Sequence, residues 1–159
     1  MTAGKKSFGL GNASLDHGSV HADSRTLTRR SGRGPNHQQS PVILNGKTVA
    51  VVDDDPAVLD SIRILLEAFG ANVLTYQRGG DFLLESLRSH CLIVDYHMPE
   101  MNGLALVSEL QRRGDHTPAI IITALNEATL QERAAKLGIR IVLHKPMGAG
   151  ALLSAIQSL

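Results

Sequence analysis

Val49-Ala50-Val51-Val52-Asp53-Asp54-Asp55 decides how the rest of this chain is read. Four apolar residues, β-branched except Ala50, run straight into three carboxylates and then Pro56. A run so short and so apolar is a strand buried on both faces, as in a parallel sheet. The carboxylates then fall at the strand's C-terminal end, where open α/β sheets place their sites. Clustered Asp side chains repel one another, and burying them without compensation costs on the order of several kcal/mol each. A divalent cation relieves that cost, and an oxygen-only ligand set selects a hard ion, Mg2+.

Outward from this stretch the same pattern repeats. The first strand is Thr48–Asp53. Pro56 opens a helix at its first position with Asp54 or Asp55 as cap, and Gly70 closes it. Val58, Ile62, Leu65 and Phe69 fall at helical spacing on one face of it. Asn72–Tyr76 is a second strand, and Gly79–Ser89 a second helix burying Phe82, Leu83 and Leu87. Gly79-Gly80 reads as a turn into that helix, because the later Gly-Lys-Ser/Thr of a phosphate-binding loop is missing. Cys91-Leu92-Ile93-Val94 is a third apolar strand ending in Asp95, followed by a loop through Asn102 and a helix over Gly103–Arg113 with Leu104, Val107 and Leu110 inward. Ala119–Ile122 is the fourth strand and ends at Thr123; Asn126–Leu137 is a helix stopped by Gly138. Ile139–Leu143 is strand five, ending at His144-Lys145-Pro146, and Gly148–Ser158 is the last helix, burying Leu152, Leu153 and Ile156.

Five βα units in succession specify a parallel sheet with helices on both faces and right-handed crossovers. Four of the five strands end in a chemical group: the Asp53–Asp55 acids, Asp95, Thr123 and Lys145. Parallel strands bring all of these to one edge. Asp95 stands alone as a carboxylate able to act as a nucleophile. Asp54 and Asp53 would hold Mg2+ against it, while the Lys145 amine and the Thr123 hydroxyl suit phosphoryl oxygens. The set spells phosphoryl transfer onto Asp95.

VVDDDPAV, VDYHMPEMNG, IIITA and HKPM, in that order, resemble the response-regulator receiver domain of two-component signalling. The resemblance covers Lys47 to Leu159, and LLEAFG and DFL look most like its FixJ-type branch. It implies a flavodoxin-like, doubly wound five-stranded parallel sheet in the order 2-1-3-4-5, forming a receiver domain over residues 46–159. Asp95 matches the phosphoacceptor, Asp53 and Asp54 the acidic metal pair, Thr123 the switch hydroxyl and Lys145 the site lysine. The same resemblance makes the His97 backbone carbonyl a further Mg2+ ligand, and a sensor histidine kinase or phosphotransfer protein the phosphoryl donor. It also supports a cis Lys145–Pro146 bond, to which X-Pro chemistry in a tight turn is suited. A downstream protein partner, or a homodimer through the last helices, would carry the output. The chain departs from the pattern at Val142, where many receivers carry a switch Tyr or Phe. Asp55 is a third acid whose expected role is helix capping. Nothing follows the fifth helix, so neither a DNA-binding nor an enzymatic output domain is expected, only self-phosphorylation and autodephosphorylation.

One enzyme reading competes. A haloacid-dehalogenase-type phosphatase would use the Asp53/Asp55 pair, but Pro56 interrupts its first motif, Asp95 would be idle, and no cap domain fits the length. A receiver with a dead site is set aside because no site position is lost.

The totals agree with one domain. Apolar residues make up 43% of the 159 and aromatic ones 3%, so the core must be aliphatic. A single cysteine, Cys91, excludes an internal disulfide framework and suits a reducing cytoplasm. No apolar run nears the roughly 20 residues of a membrane span, and no apolar segment follows Lys5 and Lys6 as a secretory signal requires. Residues 1–45 hold six Lys/Arg against two Asp, whereas 46–159 hold ten against thirteen acids. Low apolar content without a period makes 1–45 a disordered basic tail. Its Arg25, Arg29, Arg30 and Arg33 could meet nucleic acid or an acidic partner, but a solvated tail is the simpler reading. The phosphoacceptor module and the tail are expected to be separable.

Overall fold

A computed structural model describes residues 44–85, 88–125 and 128–159. The expected disorder of the tail, and the burial of Leu87, fall on residues outside these. Along the described residues the order is β1 (Thr48–Val52), α1 (Pro56–Ala68), β2 (Asn72–Tyr76), α2 (Gly79–Glu85), β3 (Cys91–Asp95), α3 (Gly103–Arg112), β4 (Ala119–Thr123), α4 (Ala128–Lys136), β5 (Ile141–His144) and α5 (Ala149–Gln157). The strands form one parallel sheet in the order β2-β1-β3-β4-β5, the flavodoxin-like order expected.

Period-two alternation divides the aliphatic core between the two faces of the sheet. Ala50, Val52, Leu92, Val94 and Ile121 face one way, packed with Phe82 and Leu83 of α2, Leu104, Leu106, Val107 and Leu110 of α3, and Leu130 and Ala134 of α4. Val49, Val51, Cys91, Ile93, Ile120 and Ile122 face the other way, against Leu59, Ile62 and Leu66 of α1 and Leu152, Leu153 and Ile156 of α5. The three central strands therefore have no solvent face, which is why they read as unbroken apolar runs.

Three local details differ from the sequence expectation. The centre of the α1 stripe is Leu59, Ile62 and Leu66, while Val58, Leu65 and Phe69 lie partly buried along one margin. β5 starts two residues late, because Ile139 belongs to the end of α4. Gly138 takes φ +74, and the Ile139 N–H donates to Ala134 O at 3.0 Å, the wrap-around bond that closes a helix. Leu44, which the sequence reading places in the tail, is 1% exposed, and its N–H donates to Phe69 O at 2.8 Å. Ordered packing thus reaches at least to Leu44.

Candidate functional site

Strand register assembles the site. Val52 pairs with Val94, Asp95 with Ile122, and Thr123 with His144. Asp53, Asp95, Thr123 and Lys145 consequently meet along one sheet edge, from positions up to 92 residues apart in the chain.

Asp53 follows the last residue of β1, and its N–H still reaches Tyr76 O at 3.1 Å. Its side chain is buried, and each carboxylate oxygen has its own partner. Oδ1 accepts from the Asp55 N–H at 3.0 Å, and Oδ2 accepts from Lys145 Nζ at 2.7 Å. Asp55 itself caps α1, its Oδ1 accepting from the Ala57 N–H at 2.9 Å. This is the capping role expected of it, and it is not the Asp53/Asp55 pair that a phosphatase would need. Asp54 lies exposed beside them.

Asp95 ends β3, 4% exposed, and Lys145 Nζ lies 2.8 Å from its Oδ1. One ammonium therefore bridges two buried carboxylates. Lys145 follows β5, its N–H donating to Thr123 O at 2.7 Å, and the Lys145–Pro146 bond is cis as expected. Burial pulls the Lys145 amine down, but its hydrogen bonds and charge contacts with Asp53 and Asp95 outweigh this and hold it above its ordinary value. Burial pushes the Asp53 carboxyl up; Lys145 and the Asp55 N–H oppose that, Asp95 adds to it, and the net position is raised.

Thr123 is fully buried. Its hydroxyl accepts from the Leu125 N–H at 3.1 Å and donates to Leu125 O at 3.4 Å. His97 is exposed, with its ring edge-on to Tyr96 at 4.5 Å. The start of α3 packs directly on the acceptor strand: a Cβ on Gly103 would lie 2.6 Å from Asp95 O, and the Gly103 N–H donates to Tyr96 O at 3.1 Å.

One carboxylate oxygen from each of Asp53, Asp54 and Asp95 lies within 4.8 Å of the other two. Two of these acids are buried and one is open to solvent. An all-oxygen set with an open side fits a hard divalent cation that keeps some of its water, as Mg2+ does. Two features had no signal in the sequence: the reach of Lys145 to Asp53, and a bond from Arg133 Nη1 to Tyr96 Oη at 2.7 Å that joins α4 to the residue after Asp95.

The sequence profile of the response regulator receiver domain matches residues 49–157, and the chain belongs to that family. The family is one of phosphorylation-dependent signalling. Among curated proteins it is similar to the transcriptional regulatory protein FixJ of Azorhizobium caulinodans, 36% identical over 112 residues, 69% of this chain and 53% of that one. It is also similar to the transcriptional regulatory protein TdiR of Thauera aromatica, 34% identical over 116 residues, 72% of this chain and 51% of that one. The chain spans about half the length of these relatives. Among solved structures, FixJ-N matches at 29% identity with a TM-score of 0.65, over 70% of this chain and 90% of that one. The chemotaxis protein CheY4 of Vibrio cholerae matches at 24% identity and a TM-score of 0.67, over 70% and 97%, a likeness of fold. Among the described residues no helix is long and apolar enough to cross a membrane.

Proposed function

We propose that Asp95 accepts a phosphoryl group from a phosphohistidine of a sensor kinase or phosphotransfer protein, and that the chain signals through the state of that residue. The observation that carries this reading is the Lys145 ammonium set between Asp53 and Asp95, at 2.7 and 2.8 Å, beside an exposed third acid. A carboxylate held only for stability would not be kept at a sheet edge with two others and, among the described residues, one cation. Asp53, Asp54, Asp95 and the His97 carbonyl would hold Mg2+, and the bound ion would offset negative charge on the phosphoryl oxygens.

In the transfer, an Asp95 carboxylate oxygen attacks phosphorus in line with the departing imidazole nitrogen. The P–N bond breaks as the P–O bond forms, and the nitrogen keeps the electron pair. Lys145, already at Asp95, moves its donors to the incoming phosphoryl oxygens while still paired with Asp53. The Thr123 hydroxyl gives up its weak bond to Leu125 O and donates to another phosphoryl oxygen. Partner binding follows from the altered edge.

Incubation with acetyl phosphate and Mg2+, read by intact mass, tests the reading. One added phosphoryl group is expected, lost in Asp95→Asn and kept in Asp55→Asn. Uptake that survives Asp95→Asn would overturn it.

A further inference from the structure

Helix α4 is thinly anchored. Its buried side chains among the described residues are Leu130 and Ala134, whereas α3 buries five residues. Among the described residues two polar bonds tie it to the rest of the fold. At its C-terminal end Gln111 Nε2 of α3 donates to Leu137 O at 2.7 Å. In its last turn Arg133 donates to the Tyr96 hydroxyl at 2.7 Å, with the guanidinium carbon 5.7 Å from the Tyr96 ring centroid.

Tyr96 is poorly placed to adjust to α4 on its own account. It is bonded covalently to Asp95, its ring is 6% exposed, and its backbone is held on both sides. The N–H donates to Ile122 O of β4 at 2.8 Å, and the carbonyl accepts from the Gly103 N–H. The phenol oxygen is therefore a fixed acceptor whose position follows the end of β3. An ionised donor makes the bond about twice as strong as a neutral one.

At the other end of α4 the attachment is weaker. Thr123 donates to Leu125 O at 3.4 Å, the outer limit of a hydrogen bond, and α4 begins three residues later at Ala128. A new acceptor near Asp95 would take that hydroxyl proton at little cost, leaving Leu125 held to Thr123 only by its N–H, which donates to the hydroxyl oxygen at 3.1 Å. A contact that the site can weaken thus precedes α4, and one that reports where β3 ends lies in its last turn. Val142 on the neighbouring strand is partly buried in the same core as Tyr96, and its side chain has no polar group to report a change.

We propose that the Tyr96–Arg133 contact couples the state of Asp95 to the position of α4. The proposal rests on Asp95 being the phosphoacceptor. Hydrogen exchange of α4 amides, with and without beryllofluoride and Mg2+ as the phosphoryl mimic, tests it. In the parent the α4 exchange rate should differ between the two states. Tyr96→Phe, which removes only the hydroxyl, should cut that ratio about fivefold. Arg133→Gln, at an exposed position, should do the same without disturbing the core, and the double variant should go no further than either single one. A purely structural contact would speed α4 exchange equally in both states and leave the ratio intact, which would overturn the coupling. A parent ratio of one, in protein whose Asp95 takes up phosphoryl by mass, would also overturn it. Absence of that uptake would instead remove the phosphoacceptor reading, and this proposal with it.

Discussion

Replacing Lys145 by Met removes the one cation that, among the described residues, faces Asp53 and Asp95, while keeping most of the side chain's volume. The two carboxylates are 1% and 6% exposed, so water cannot take over the lost partner, although Lys145 itself is 23% exposed. Breaking a buried pair from one side costs about 3–5 kcal/mol, and the partial exposure of Lys145 puts this case near about 3. For a domain of this size that is a fall of roughly 10 °C in the melting midpoint. The sign with pH follows from Asp53. Its folded value is already raised, so ionised Asp53 weakens the fold as pH climbs through that value. Without Lys145 the largest opposing influences disappear and the rise is greater. The deficit of the variant should therefore be small in acid, where Asp53 carries a proton, and full near neutrality. On the alkaline side the parent loses the Lys145 contribution as pH rises through the amine's raised folded value. Urea or thermal unfolding in chelator, at about pH 5 and about pH 7, gives both quantities. A variant as stable as the parent at neutral pH, or a deficit that widens in acid, would refute this account of the site.

Millimolar Mg2+ should raise the melting midpoint of the parent, and by less in Asp54→Asn; an unchanged midpoint would argue against a metal at the three acids. Leu125, half exposed at the rim of the site, offers water no hydrogen bond, so Leu125→Gln should shorten the phospho-Asp95 lifetime measured after donor removal, while His97→Ala changes it little. An equally slow Leu125→Gln would show that shielding is not what limits hydrolysis. Cys91 is 2% exposed and burial pushes its thiol up to about 12, so a thiol reagent should label it no faster than the protein unfolds. Rapid labelling of native protein would place a local opening at β3.

The sheet was legible because its three inner strands have no solvent face, and VAVV, CLIV and AIII allow no other reading. The polar edge was legible for a related reason, since parallel strands must end together. The face of α1 was less so. Apolar residues stand at 58, 59, 62, 64, 65, 66 and 69, a stripe wide enough that two neighbouring faces satisfy the period, and only packing against the sheet selects Leu59 and Leu66. The limit of β5 was misread because Ile139 has the look of a strand residue while its backbone completes a helix. The Tyr96–Arg133 and Lys145–Asp53 bonds join residues 37 and 92 positions apart. A long cationic side chain can reach many acceptors, and nothing in local pattern or propensity chooses among them.

Gly103 gives the site an unequal tolerance to change. In a library of random single substitutions, Gly80, Gly148 and Gly150 have open space where a side chain would go, and variants there should survive selection for signalling. At 103 the first added carbon meets the backbone of Asp95 itself. Every replacement, alanine included, would act as a wedge under the acceptor strand. Depletion at that position would then mark a residue with no reactive atom as tightly constrained as the acids beside it.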